Sequence, residues 1–520
     1  MSAASDSFWD AIAQHDAAVG DAIWVGSEPT FTRCDSESSE WLSEPLGGEK
    51  YRYALSMVAE LRRRHPDSMV LRTVGRQYEA EDQPRWSVGL LERRDGRPLW
   101  RGPADPLIGN GQAASHADAE RSLDGLWHAL RAAAEQRGWH VLGFSCKQSL
   151  SHRLLLGRDA QAVEQADLHP STRRPSIHDE KTAPDGLRDP LADNGLLLFS
   201  IGIHESDGRP CGLCIELPLL PSVQNFLDCI AMLQQACEDA SVGALVVQGF
   251  APPVDHRLAW VTVTPDPAVI EVNQAPQPTI AAFYAASREL FDVADALGVS
   301  AYRLQYNGNV SDSGGGGQFT LGGEDPASSP FFVEPTLLPR LVRYLNHHPA
   351  LSYFFAPDYL GGASQSPRTD ETTREAFREL SIAMWQLQQQ PDPTPEFLWA
   401  SLAPFLADPS GNSHRSELNI EKLWNPYLPG RGCLGLVEFR AFRMARSAER
   451  SASIAALLRA VIAMLMRHDV ATALCDWGRE LHDRFALPYF LRRDLEQVFA
   501  DLAEHGVGLH AHMQMLLSLY

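Results

Sequence analysis

The chain has 520 residues, room for three or four domains or for one large catalytic module with insertions at roughly 150 residues per domain. Its 45 Lys and Arg against 66 Asp and Glu give a formal charge of −21, which excludes non-specific nucleic-acid or anionic-membrane binding because both partners would repel it. A 44% hydrophobic content is ordinary for a globular chain, and eight scattered cysteines are too few for a disulfide scaffold.

In chain order, the N-terminal segment carries acids where a signal peptide needs basic residues, so a cytoplasmic location is expected. Ala22–Val25 predicts a short strand ending at Gly26, and the segment from Gly47 has helical spacing through Tyr51, Leu55, Val58 and Leu61. Asp95-Gly96 sits between two strand-like flanks and predicts a hairpin. Residues 116–137 predict a helix. Residues 159–194 are polar, Pro-bearing and aperiodic, the composition of a mobile linker or surface loop. Five apolar segments of strand length follow (LLLFSIGIH, CGLCIEL, ALVVQGF, LAWVTVT, AVIEV), interrupted by one helix and with a turn at Pro265-Asp266-Pro267 between the last two. An amphipathic helix then runs to Gly298, and the chain beyond residue 445 reads as mostly helical. The expected organisation is an N-terminal part (1–158), a linker (159–194), a main sheet (195–445) and a C-terminal helical part (446–520). Strands and helices without regular alternation point to an α+β sheet with helices packed on it.

Familiar motifs for phosphate loops, zinc proteases, serine hydrolases and dinucleotide folds are absent. Cys211 and Cys214 have the spacing of half a zinc site, but no second pair follows, and both read as strand core. A thiol acyltransferase would need a cysteine paired with histidine; Cys34 and Cys433 have no evident partner.

Six short segments instead place charged or amide side chains at strand or loop edges. GSEPTF holds Glu28. In AVIEVN, period-two geometry puts Glu271 and Asn273 on one face while Ile270 and Val272 face the core. SDSGGGGQF lets backbone approach a ligand such as phosphate through Gly315 and Gly316, just before Gln318. SQSPRTDE holds Arg368, Asp370 and Glu371. GNSHRSELNIEKL holds His414, Arg415, Glu417 and Lys422. In LGLVEFRAF, Glu438 and Arg440 share a strand face. Taken singly, each segment reads as a solvated edge, a cap or a structural ion pair. Together, oxygen ligands from Glu28, Glu271 and Glu438 suit Mg²⁺ or Mn²⁺ rather than zinc, and arginines from three segments can neutralise a triphosphate.

These segments, in this order, resemble the amidoligase family filed as a domain of unknown function and often encoded beside transglutaminase-like proteins. The resemblance extends through QYEAEDQPRW, NHHPALSYFF and LHDRFALPYF. It implies a glutamine-synthetase-like antiparallel β-sheet whose concave face binds ATP and divalent ions. The implied reaction is ATP-dependent phosphorylation of a carboxylate, followed by amine attack to form an amide or isopeptide bond on an amino acid, peptide or protein. It implies metal binding by Glu28, Glu271 and Glu438. Nucleotide contacts fall to Asn273, Gly315, Gly316, Gln318 and Arg440, and phosphate or substrate-carboxylate contacts to Arg368, Arg415 and Arg440. Glu417 and Asp370 are the candidate general bases. A transglutaminase-like partner enzyme and an oligomer fall within the same expectation, whereas nucleic acid and membrane do not. Two departures stand out: Gln318 where the family has histidine, and AFRMAR where it has AFEMPP, with Arg443 in place of an acid and both prolines lost. They motivate the alternative of a catalytically impaired relative that serves as a nucleotide-binding or scaffold partner.

Overall fold

The computed structural model describes residues 3–78, 81–109, 114–146, 150–166, 168–178, 189–356, 360–361, 364–427 and 432–519. The chain forms two compact units, residues 1–44 with 266–520 and residues 45–265. These cut across the four segments expected from composition, because strands pair by register rather than by nearness in the sequence. Each unit is mixed α/β and built on a mostly antiparallel sheet. Among the described residues no helix is long and apolar enough to cross a membrane.

In the first unit, five strands form the sheet: β1 (Trp24–Phe31), β2 (Val269–Gln277), β3 (Gly317–Gly322), β4 (Leu418–Asn419) and β5 (Val437–Phe439). Their order is β4-β5-β3-β1-β2, with every neighbour antiparallel. β1 does not stop at Gly26 as expected but runs on to Phe31, which carries Glu28 inside the strand. Gly26 sits at a register irregularity, where an added Cβ would lie 2.7 Å from Thr320 Oγ1 and 2.8 Å from Gln274 O. Glycine is there for close approach, and the strand continues through it.

One face of this sheet is apolar: Val25, Phe319, Leu321, Leu418, Val437 and Phe439 enter a core with helices α1 (Ala3–Val19), α2 (Ile280–Ala296), α3 (Leu337–His347) and α4 (Ala448–Arg467). Gly298, at φ 71°, ends the α2 segment as its position predicts. α4 is buried on nearly every side, Arg459 included. That guanidinium is taken up by Asp16 and the carbonyls of Gly20, Ile23 and Pro278, so a charge inside the core is matched on all sides.

In the second unit the sheet runs through eight strands in the order 258–266, 86–93, 69–74, 245–249, 209–217, 197–206, 152–157 and 140–145. Strand 245–249 is parallel to both of its neighbours. The five apolar segments predicted as strands are strands, four of them in this unit. The Asp95-Gly96 turn forms, with Gly96 at φ 72°, but the segment after it is not a strand; strand 86–93 pairs instead with 69–74 and 258–266. Helices 116–136 and 223–239 pack on one face of the sheet. Across the other face the register aligns Arg72, Gln248, Glu216, Ser200 and Arg153 on five successive strands.

The segment 159–194, expected as a mobile linker or surface loop, is packed on the sheet in the part described below; residues 167 and 179–188 lie outside the described residues. Residues 160–166 are helical, and 170–178 are docked on the polar row. Arg153 donates to the carbonyls of Thr172 and Arg174, and buried Glu216 accepts from Arg174 Nη1 (3.0 Å), Ser176 Oγ (2.5 Å) and Ile177 N (3.1 Å). The segment is polar because its partners are buried and polar, a cause that composition alone does not distinguish from solvation. Glu216→Ala leaves Arg174 and Ser176 without their acceptor, a loss of about 3–5 kcal/mol when a buried pair is broken. Trypsin will then cleave after Arg173 in the variant under conditions where the parent is intact; equal cleavage rates would contradict the docking.

His15 is fully buried on α1 with neither ring nitrogen hydrogen-bonded. Burial, and then the nearby Arg459 charge, push its pKa down to about 3. An unfolded chain binds a proton there at about 6.5, so between about 6.5 and 3 the unfolded state holds more protons and stability falls as pH falls. His15→Leu is therefore expected to lose less Tm than the parent between pH 7 and pH 5 in calorimetry; parallel Tm profiles would refute this.

Candidate functional site

The polar face of the five-stranded sheet is set by register. On β1, Glu28 stands opposite Gln318 of β3, and Thr30 opposite Glu271 of β2. On β5, Glu438 stands opposite Thr320 of β3 on one side and Asn419 of β4 on the other. Because side chains alternate, Glu28, Glu271, Asn273, Gln318 and Glu438 all project from the same face. The residues between them (Ile270, Val272, Phe319, Leu321, Val437 and Phe439) are buried on the other. The two spacings that the sequence reads correctly are Glu271 with Asn273 and Glu438 with Arg440.

β1 and β5 are separated by β3, so the backbones bearing Glu28 and Glu438 lie two strand spacings apart, about 10 Å. A single ammonium bridges them. Lys422, in the turn after β4, is ion-paired with Glu28 and lies 3.1 Å from Glu438 Oε2. Arg440 pairs with the other oxygen of Glu438 and donates from Nε to the His414 carbonyl at 2.9 Å. Asn273 Nδ2 donates to Glu271 Oε1 at 2.9 Å.

The electrostatics divide the three carboxyls. Burial opposes ionisation of Glu438, but Lys422 and Arg440 outweigh it and hold its pKa down at about 2. Burial and the neighbouring Glu438 raise Glu28 in spite of Lys422. Burial, then Glu28, then Asp266 push Glu271 up to about 8. Burial works against the charge on Lys422, yet Glu28 and Glu438 raise its pKa well above the usual lysine range. Two cations thus face three glutamates with Asp266 close by, so the three carboxyls cannot all ionise together unless further positive charge is supplied. One further acceptor is unsatisfied: Gln318 Oε1 is buried with no hydrogen-bond partner, while its Nε2 donates to Gly315 O at 3.1 Å.

These donors suit a hard divalent cation in kind, being carboxylate and amide oxygens on one face. In the arrangement seen, no group of three or more His, Cys, Asp or Glu side chains among the described residues converges to hold a metal ion, and Lys422 Nζ stands between Glu28 and Glu438.

The glycine-rich turn differs from the expected phosphate cradle. Asp312 accepts from the N–H groups of Gly314 (3.4 Å) and Gly316 (3.3 Å) through Oδ2, and from Met444 N at 2.7 Å through Oδ1. The chain's own carboxylate therefore fills the donors that a phosphate would use. A Cβ at Gly315 would lie 2.8 Å from Thr30 Cγ2 and from Val269 Cγ2, so its lack of a side chain serves packing against β1 and β2. Gly314 and Gly316, at φ 107° and 78°, make the turn itself.

Arg368, Glu417 and Asp370 form a separate buried network. Arg368 donates to both oxygens of Asp370 (2.9 and 2.7 Å), to Ser352 Oγ, and to the carbonyls of Leu345 and Asn346. Glu417 accepts from Ser352 Oγ and Thr369 N. Each guanidinium nitrogen of Arg368 has an acceptor within the chain, Nη1 also lies 3.6 Å from Glu417 Oε2, and Glu417 and Asp370 are engaged in the same network. Arg415 is on a loop, 3.5 Å from Asp408 and donating to Ser364 O. Cys214 is strand core, as expected, and His348 is held between Asp494 and Asp501. The sequence reading names Lys422 without a role and passes over Asp312, because turn residues carry no periodicity that aims them at a strand face.

An oxygen-rich sheet face with Lys and Arg among its glutamates defines a class of site suited to handling charged groups of phosphate or carboxylate type. The family follows from comparison of the whole chain: residues 5–139 and 158–516 match the family described as "Putative amidoligase enzyme", domain of unknown function 2126, and the chain belongs to that family. Membership supports an amide-bond-forming ligase in general terms. No curated protein and no solved structure matches the chain.

Replacing the bridging ammonium leaves three carboxyls facing Arg440 alone. Lys422→Met is expected to lower Tm in the presence of a chelator, and Mn²⁺ to raise the variant's Tm more than the parent's. Equal Mn²⁺ shifts in the two proteins would mean that the glutamates are not short of a cation.

Proposed function

We propose that the protein is an ATP- and Mg²⁺- or Mn²⁺-dependent carboxylate–amine ligase of the glutamine-synthetase-like kind, forming an amide or isopeptide bond. The observation that carries this reading is the set Glu28, Glu271 and Glu438, brought by register to one sheet face with too few cations to balance it. A divalent ion held by these three glutamates would supply charge neutralisation for a nucleotide's polyphosphate. Substrate carboxylate would attack the γ-phosphoryl group, releasing ADP and leaving an acyl phosphate; an amine would then attack the acyl carbon and release phosphate.

In this reading Arg440, fixed by Glu438 and the His414 carbonyl, faces the transferring phosphoryl group and takes up its charge; such a stabiliser is worth on the order of a hundredfold in rate. Asn273 orients Glu271 and offers its remaining polar atoms to the nucleotide. Gln318 turns its unpartnered oxygen toward the bound groups. Arg368, Glu417 and Asp370 act by positioning the loop and the start of β4 rather than by touching substrate.

A second reading, a nucleotide-binding or scaffold relative without turnover, is favoured by Asp312 lying in the glycine turn and Lys422 lying between two glutamates. ADP release separates the two. A ligase makes ADP only when ATP, Mg²⁺ or Mn²⁺, a carboxylate and an amine are all present, and Glu271→Ala abolishes it. A screen of amino acids and peptides yielding no such ADP, or full turnover in Glu271→Ala, would reject the assignment.

A further inference from the structure

Three arginines follow one another beside the glycine turn with no ion-pair partner among the described residues. Arg443, Arg446 and Arg450 lie on the segment between β5 and the first turn of α4, the 20-residue helix Ala448–Arg467. The segment is anchored by backbone: Gly317 N donates to Phe442 O at 2.9 Å, Arg443 N to Phe355 O at 2.8 Å, and Met444 N to Asp312.

Arg443 donates from Nε to Ala356 O at 2.8 Å, and Arg450 from Nη1 to Leu516 O at 2.6 Å; the other Nη groups have no hydrogen-bond partner among the described residues. Arg446 is exposed, and none of the three makes an ion pair with a described carboxylate. The nearby acids are engaged elsewhere, Asp312 with backbone N–H groups and Glu449 with the Tyr284 hydroxyl at 2.7 Å. At Arg450, burial first and then the charges of Arg443 and Arg446 push the pKa down to about 10.

This arrangement is costly on two counts. In a chain with 66 acids and 45 bases, arginines without an acidic partner run against the composition. The helix macrodipole also puts partial positive charge at the start of α4, where anions are stabilising and added cations are not. An oxyanion bearing two or more charges would relieve both, using the free guanidinium N–H groups.

We propose that Arg443, Arg446 and Arg450 form a binding site for the carboxylates of an acidic peptide, which makes the carboxylate substrate polyanionic. This deepens the ligase reading and rests on it for the word substrate, while the binding itself does not. An anionic substrate would otherwise be repelled by a chain of charge −21, and a local basic patch offsets that repulsion.

The test is calorimetric binding of triglutamate and, separately, of tripolyphosphate to the full chain without ATP or added metal. Triglutamate is expected to bind the parent, to bind Arg443→Ala/Arg446→Ala at least tenfold more weakly, and to recover with lysine at both positions. Binding should weaken as salt rises. Unchanged affinity in the double variant, with its circular dichroism intact, overturns the site; tripolyphosphate binding with triglutamate silent overturns the peptide assignment. Triglutamate binding without ADP release leaves the site standing and removes the ligase reading alone.

Discussion

Carboxylates from separate strands, far apart in sequence, cannot share a buried face unless a cation lies between them or one of them takes up a proton. In this protein that cation is the ammonium of Lys422, paired with Glu28 and Glu438 across the two strand spacings that separate β1 from β5. Buried like charges cost free energy unless opposite charge is supplied in good geometry. The ordering of the β4 turn, the aim of Arg440 and the protonation of Glu271 all follow from how that requirement is met.

The requirement is met only in part. Glu438 is held ionised, whereas Glu28 and Glu271 are driven toward their neutral forms, and Gln318 Oε1 has no partner. Incomplete satisfaction of a polar cluster weakens a fold, so its presence at the centre of a sheet points to use rather than to stability. By contrast, Arg368 with Asp370 and Glu417 is saturated by short contacts to its own chain, the pattern of a network that fixes a loop.

Strand-local chemistry was legible in the sequence. The alternation in AVIEVN separates Glu271 and Asn273 from Ile270 and Val272, and VEFR sets Glu438 and Arg440 on one side, because the period of a strand is a local property. Pairing is not local. That Gln318 faces Glu28, or that Thr320 lies between β1 and β5 opposite Glu438, depends on register across hundreds of residues, which one sequence does not encode visibly. The same limit explains the glycine turn: four glycines announce close approach, but not whether a ligand or the chain's own Asp312 approaches. It also explains residues 170–178, whose polar composition answers to Glu216 and Arg153 rather than to water. The strand read as ending at Gly26 shows the reverse error, a glycine taken as a stop where it marks two backbones in contact.

The central claim is that one ammonium couples glutamates on different strands, and a double-mutant cycle measures that coupling directly. Unfolding free energies of the parent, Glu28→Gln, Lys422→Met and the double variant should give an interaction term of roughly 1 kcal/mol or more, in the range seen for residues in contact within one network. A term of zero, with the two single losses simply adding, would show that Lys422 and Glu28 do not act together and would remove the basis for a shared site on this face.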